Sequence, residues 1–437
     1  MRSSTRENQA RERIRKKIAA KRGKKKICIT GIMKNEGKNV ERLLDSLLSM
    51  PPDMVSIVDT GSTDDTKEKI VGWGKLHNIP TAVHEEPFVN FAYNRTHSIK
   101  MARKAFPEAD YFLLTDADFI WEIPPGERFD KVLLIDHKYL IEQYNPSLRY
   151  WNVRMLSSSV EWECVGVTHE YWRESPRQTI PLPQIRTSKI RTLVINDKED
   201  GGCKEDKFSR DEKLLKDALA DPGCPADLRP RYRFYLAQTL KDVGRCRDSI
   251  ECYKERIRDK GWAEEIYYSK FQIGVCYERL AWKKQKATED ATDNATEDAT
   301  DNATEDATDN ATEDATDNAT EDLFALAQEY YEAAYEYRKL RAESIYELTR
   351  MLRLLGRNSE ALYFARIGKK IPYPSEDSLF IGAACYSYLF DYEISIVAFY
   401  VEGYKGEGRN AISNLLSRDD IPEHIRACAE KNSRYYL

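Results

Sequence analysis

The sequence predicts an α/β domain followed by an all-α helical-repeat domain. Three observations lead there. Strand-like apolar runs alternate with helical spacing from Lys26 to Asp116. From about Phe208 the pattern is helical only. Inside that half, LKDVGRCRDSI at 240–250 parallels LRLLGRNSEAL at 352–362. The offset of 112 residues becomes 76 once the 36-residue tract 287–322 is set aside, two units of 38, near the period of helix-pair solenoids.

The elements follow in order. KICITGIM at 26–33 is a short apolar run, and Val40, Leu43, Leu44, Leu47 and Leu48 give Glu36–Leu48 one helical face. MVSIVD at 54–59 is a second strand. A second helix opens at Thr63, with Ser62 or Thr63 as its cap and Asp64 and Asp65 in its first turn. TAVHE at 81–85, a helix near 94–105 and YFLLTD at 111–116 complete a parallel α/β pattern. RYWNVRML, VEWECVGV and IRTLVIND within 147–196 read as further, antiparallel strands. Tyr232, Tyr235 and Ala237, then Tyr331, Ala334 and Tyr335, interleave aromatic and small residues as packed helix pairs do.

Composition narrows the function. The chain has 437 residues, 41% hydrophobic and 32% charged, with a net charge of −5. That charge hides two biased segments. Residues 1–26 carry twelve Lys/Arg and two Glu, and residues 287–322 carry fourteen Asp/Glu and no base, which leaves the remainder at −1. A broadly basic nucleic-acid-binding body is excluded. No run of 18 apolar residues exists, so no membrane span is expected. Nine Cys in no CxxC spacing, and no secretory h-region, predict free thiols and a cytoplasmic location. The tract, four copies of ATEDATDN plus ATED, holds nothing to bury and reads as a disordered acidic insertion. Its Asn-Ala-Thr triplets are a by-product of the repeat.

Two motifs carry chemistry. VDTGSTDDT at 58–66 places Asp59 at a strand end, followed by a Gly-Ser turn and a helix start, so backbone N–H groups and a carboxylate can meet a ligand. TDADF at 115–119 places Asp116 and Asp118 at the end of an apolar strand, a pair suited to an oxygen-loving divalent ion on a diphosphate. In an open α/β sheet both strand ends meet at one cleft.

With ITGIMKNEGKNVERLLDSL, NFAYNRTHSIKMA and YFLLTDADF beside VDTGSTDDT, residues 26–205 resemble the inverting family 2 glycosyltransferases and their nucleotide-sugar-binding GT-A fold. GVTHEYW at 166–172 and GGCKEDKFSRDEKLL, then RYRFYLAQTLKDVGR, resemble a subset with a TPR-like helical-repeat domain behind the catalytic one. The organisation implied is a basic disordered arm at 1–25, a GT-A domain at 26–205, helical repeats at 206–286 and 323–437, and the acidic insertion at 287–322.

The resemblance implies roles. Asp59 would bind the nucleobase, Asn35 and Glu36 would line the pocket floor, and Arg95 would meet the diphosphate. Asp116 would reach ribose or a Mn or Mg ion, and Asp118 the metal. The second acid of the family's commoner signature is Thr60 here, so the base contact falls to Asp59 alone. An inverting transfer also needs a base at the acceptor hydroxyl. Glu170 is the choice, with His169 as third metal ligand or diphosphate contact. Lys204, Lys207 and Arg210 would close over the diphosphate as a lid. Among Trp121, Trp151, Trp162 and Trp172, core packing is expected over sugar stacking. The donor implied is a UDP-sugar. The acceptor is a glycan or protein, and the repeats offer a groove or an oligomer contact. A nucleotidyltransferase would want a Gly-rich, basic phosphate loop where MKNEGKN stands. A non-catalytic repeat scaffold would have no use for the intact acid pair.

Overall fold

The computed structural model describes residues 24–145, 149–177, 179–201, 207–298 and 310–436, with backbone alone at 289–298 and 310–319. Residues 1–23 of the basic arm, Lys204 and the centre of the acidic tract lie outside the described residues. The chain forms two compact units, 1–218 and 219–437.

The first unit is a sheet with helices on both faces. Strands β1 (Ile27–Met33), β2 (Met54–Asp59), β3 (Thr81–Glu85) and β4 (Tyr111–Leu114) pair in parallel. β1, β2 and β4 are buried almost throughout, as continuous apolar runs require at the centre of a parallel sheet. Their alternation splits the core in two. Ile27, Ile29, Val55, Ile57, Tyr111 and Leu113 face one side, under helices α1 (Val40–Ser46) and α2 (Thr66–His77). Cys28, Met54, Phe112 and Leu114 face the other, against Ile99 and Ala102 of α3 (Phe91–Ala105). Asn90 caps α3 by accepting from the Tyr93 N–H at 2.8 Å, and Arg103 and Lys104 end it.

The rest of the sheet comes from β5 (Phe119–Glu122), β6 (Lys138–Tyr144), β7 (Arg149–Ser157) and β10 (Thr187–Asp197), in the order β3-β2-β1-β4-β7-β6-β10-β5. This half is not uniformly antiparallel. β7 runs antiparallel to both β4 and β6, but β10 lies parallel to β6. β8 (Trp162–Val165) and β9 (Tyr171–Glu174) form a separate ribbon. Trp121 and Trp162 are buried in the core. The described cysteines are all free.

α4 (Lys207–Ala220) follows, and the second unit is helical. Its pairs α5 (Arg229–Asp242) and α6 (Cys246–Arg258), then α9 (Glu343–Leu354) and α10 (Asn358–Gly368), carry the internal repeat. Their turns match bond for bond. Gly244 and Gly356 take φ 81 and 72, a conformation only glycine adopts freely. The Arg245 N–H donates to Leu240 O at 2.8 Å, and the Arg357 N–H to Leu352 O at 2.9 Å. The arginine side chain then pairs three residues on, with Asp248 or Glu360. Helices α11 (Leu389–Val397), α12 (Lys405–Leu416) and α13 (Glu423–Ser433) continue the array. No described helix is long and apolar enough to cross a membrane.

The acidic tract departs from the expected disorder wherever it is described. Helix α7 (Ala263–Asp298) runs into it and α8 (Asn310–Tyr337) emerges from it. Extending a helix that is already nucleated gains a hydrogen bond per residue, so even Thr- and Asp-rich sequence can follow a packed stem. That stem is closed by Trp282 on Phe324, with ring centroids 4.7 Å apart. Replacing 289–319 with a short Gly/Ser loop should therefore leave the melting temperature within about 5 °C of native, because loop length costs little entropy. A larger fall in a thermal melt would show that the tract itself stabilises the pair.

Candidate active site

The site grows from the carboxyl ends of β1, β2 and β4. The loops after β1 and β2 are stapled together. The Asn35 N–H donates to Ser62 Oγ at 2.9 Å, the Glu36 N–H to Thr66 Oγ1 at 2.8 Å and the Gly37 N–H to Asp64 Oδ2 at 2.9 Å. In return the Thr63 N–H donates to Asn35 Oδ1 at 2.8 Å. Ser62 and Thr63 are thus used across the loops rather than as caps, and α2 starts three residues later than its sequence suggests. Asn35 serves this staple and does not line the cleft, while its neighbours Lys34 and Glu36 do. Asp59 is buried. Its Oδ1 accepts from the Gly61 and Ser62 N–H groups at 3.0 and 2.8 Å, and its buried Oδ2 has no protein partner.

Beyond β4 the acid pair divides. Asp116 is clamped by two arginines: Arg95 Nη2 lies 2.7 Å from Oδ1 and Arg154 Nη1 lies 3.2 Å from Oδ2. Burial works to raise the Asp116 carboxyl, but Arg95 and then Arg154 outweigh it and hold it below the usual carboxylate range. Arg95 also donates from Nε to Glu170 Oε1 at 2.6 Å. Burial opposes its charge, and Asp116 and Glu170 more than compensate. The backbone brings these groups together. The Phe91 N–H, at the start of α3, donates to Val167 O at 3.3 Å, and the Cys164 N–H donates to Thr96 Oγ1 at 2.9 Å.

Asp118 has different surroundings. Burial, then the charges of Asp116 and Asp197, push its carboxyl up to about 7, and Glu36 adds to the effect. The Lys198 N–H donates to Asp118 O at 3.0 Å. A strap over it is pinned by Asp200, whose carboxylate accepts from Nη1 and Nη2 of Arg42 at 2.7 and 2.6 Å. At Gly201 an added Cβ would stand 3.2 Å from Asp118 Oδ2 and 3.3 Å from Glu36 Oε1, so the close approach favours glycine.

The cleft encloses about 490 Å³ and includes Glu36, Arg95, Asp116, Asp118 and Lys207 among its walls. Arg210 also lines it, with Cζ 5.2 Å from the Phe91 ring centroid. His169 is exposed on its loop at φ 51 and is not a lining residue. Among the described residues, no three or more His, Cys, Asp or Glu gather to hold a metal, so Asp116, Asp118 and His169 form no such trio. Asp116 is engaged by its two arginines, and His169 is an exposed residue. A divalent ion still fits by chemistry. Asp118 sits among carboxylates whose mutual repulsion a cation relieves, and Mg or Mn commonly takes one or two carboxylates and completes its shell with substrate phosphates. Sequence reading missed Lys34, Gln143, Arg154 and Asp197, all of which line the cleft. Arg154 stands inside RYWNVRML, which signalled a strand but not its facing.

Residues 29–124 match the family model described as glycosyl transferase family 2. No curated protein sequence matches the chain. Solved structures align at low similarity. S. aureus TarS matches at 14% identity over 57% of this chain and 52% of that chain, with a TM-score of 0.30. Residues 1–349 of TarS in complex with UDP-GlcNAc match at 16% over 59% and 83%, with a TM-score of 0.26. A thermophilic TPR protein of Thermus thermophilus matches at 12% over 52% and 88%, with a TM-score of 0.32. The matched stretch runs from within β1 through β5 and holds Asp59 and the acid pair; residues 29–124 are thus similar to glycosyl transferase family 2, and the enzymatic class that this likeness supports is that of a glycosyltransferase.

Proposed function

We propose that the cleft transfers a sugar, with inversion, from a UDP-sugar to an acceptor hydroxyl, and that the helical unit serves a glycan or protein acceptor. The observation that carries the donor reading is Asp59 Oδ2, a buried acceptor atom without a protein partner next to Thr60 of the cleft wall. Such an atom calls for an N–H donor, which a nucleobase edge supplies. Lys207 and Arg210 offer positive charge to a diphosphate, while Arg95 is committed to Asp116 and Glu170. Asp118 would hold Mn or Mg, and the ion when bound would neutralise charge on the leaving diphosphate.

In this reading the acceptor oxygen attacks the anomeric carbon from the face opposite the diphosphate. The bond from that carbon to the diphosphate oxygen breaks, the new glycosidic bond forms, and Glu170 takes the acceptor's proton. Arg95 holds the Glu170 carboxylate in place for that transfer.

Hydrolysis of a panel of nucleotide sugars, with and without Mn²⁺, tests the reading, and turnover of none would overturn it. Asp59→Asn is the sharper probe. One oxygen can still serve the turn, but an NH₂ replaces the orphan acceptor and meets the base's own N–H. UDP affinity measured by calorimetry should fall roughly 10- to 100-fold. Unchanged affinity would place the base elsewhere.

A further inference from the structure

Six side chains from six different segments form one hydrogen-bonded line; Asp197, Gln143, Arg154, Asp116 and Arg95 line the cleft, and Glu170 joins it through Arg95. Gln143 Nε2 donates to Asp197 Oδ2 at 2.7 Å, and Gln143 Oε1 accepts from Arg154 Nη2 at 2.8 Å. Arg154 Nη1 reaches Asp116 Oδ2 at 3.2 Å, Arg95 Nη2 reaches Asp116 Oδ1 at 2.7 Å, and Arg95 Nε reaches Glu170 Oε1 at 2.6 Å. The line joins β10, β6, β7, the turn after β4, helix α3 and the loop before β9. Its middle member is built in. The pairing of β6 with β7 passes from Tyr139 opposite Met155 to Leu140 opposite Val153, so Arg154 is the extra residue of a β-bulge. Bulges re-aim single side chains at functional sites. Here the guanidinium is held with Cζ 4.5 Å from the Phe119 ring centroid and its side chain only 11% exposed.

We propose that Arg154 is a positioning residue for sugar transfer: through Asp116 and Arg95 it fixes where the Glu170 carboxylate stands, and it contributes little to nucleotide binding. The inference rests on Glu170 as the base. It follows from how the hydrogen bonds are shared out. Asp116 presents one oxygen to each arginine, so losing Arg154 lets the Asp116 carboxylate rotate, and Arg95 and Glu170 turn with it. A displacement of about 1 Å at a reacting group costs roughly 10²-fold in rate. A bidentate, planar group is needed to reach Gln143 and Asp116 together, so lysine is a partial substitute.

The test uses the full chain and four variants: Arg154→Met, Arg154→Lys, Glu170→Gln and the double variant Arg154→Met/Glu170→Gln. UDP binding with Mn²⁺ is read by calorimetry. Hydrolysis of UDP-GlcNAc, UDP-glucose and UDP-galactose with Mn²⁺ is read as kcat and KM. Arg154→Met should keep the UDP Kd within about threefold and the KM near native while kcat falls roughly 10²-fold. Arg154→Lys should recover part of that loss. In the Glu170→Gln background, Arg154→Met should cost little more, since members of one unit are not additive. If Arg154→Met does not fold, Gln143→Leu cuts the line one link further out and leaves Asp116 with both arginines; it should again lower kcat and not KM.

Additive losses in the double variant overturn the proposal, as does a native kcat or a loss confined to UDP affinity. Glu170→Gln with full turnover overturns the base reading and takes the end point of the line with it. Glu170→Gln impaired beside a native Arg154→Met overturns the line alone. No turnover of any of the three donors by the native chain overturns the donor reading on which both stand.

Discussion

Asp118→Asn keeps the fold and lowers donor turnover about 10²-fold or more, because the carboxylate best placed to hold a divalent ion loses its charge. The same change has an opposite effect on stability. Burial and the carboxylates of Asp116 and Asp197 raise Asp118 from 3.8 to about 7. Between those values the folded chain keeps a proton that the unfolded chain has released, so stability falls as pH rises through that window. In chelator at pH 8 the native chain therefore bears an ionised, crowded carboxylate, and the Asn variant should melt higher. Added Mn²⁺ should raise the melting temperature of the native chain and not that of the variant. Unimpaired turnover by the variant in Mn²⁺, or a variant that melts lower under chelator, would remove Asp118 from the role.

Glu170→Gln is the second large effect. Glutamine keeps an oxygen that can accept from Arg95 Nε, so the loop should hold its shape. What it lacks is the capacity to take a proton. UDP affinity should stay near native while transfer falls about 10²–10⁴-fold. Calorimetry beside a transfer assay separates the two quantities. Full transfer by this variant would assign the base to another acid, or would mean that the acceptor is already a good nucleophile such as a thiolate.

The central strands were legible because each is a run of apolar residues longer than its turns, and a strand buried on both faces has no other pattern. The acid pair was legible because it ends such a run. The pairing partners of the later strands were not. Whether β10 lies parallel or antiparallel to β6 depends on the path of some forty intervening residues, and nothing within IRTLVIND encodes it. Arg154 was hidden for a related reason. Strand facing follows a period of two, and a single bulged residue resets that period without leaving a mark in RYWNVRML. Asp116 read as a metal or ribose contact because the motif is local, whereas the two arginines that clamp it arrive from α3 and β7. The acidic tract read as loop because composition alone cannot see the packed stem that its helices extend.

The far-edge position of β5 bears on how the protein is made. Although β5 follows β4 directly in the chain, its ladder is with β10, Phe119 opposite Asp197 and Glu122 opposite Val194. The turn carrying Asp116 and Asp118 therefore has one end anchored early and the other left without its ladder partner until residues 194–197 have been synthesised. Closing so long a loop is slow compared with local helix formation. On the ribosome the parallel core can fold first, while the turn with the acid pair waits for a strand delivered some seventy residues later. A nascent chain stalled before residue 187 would show a protected β1–β2–β4 core and an exchange-labile acid pair.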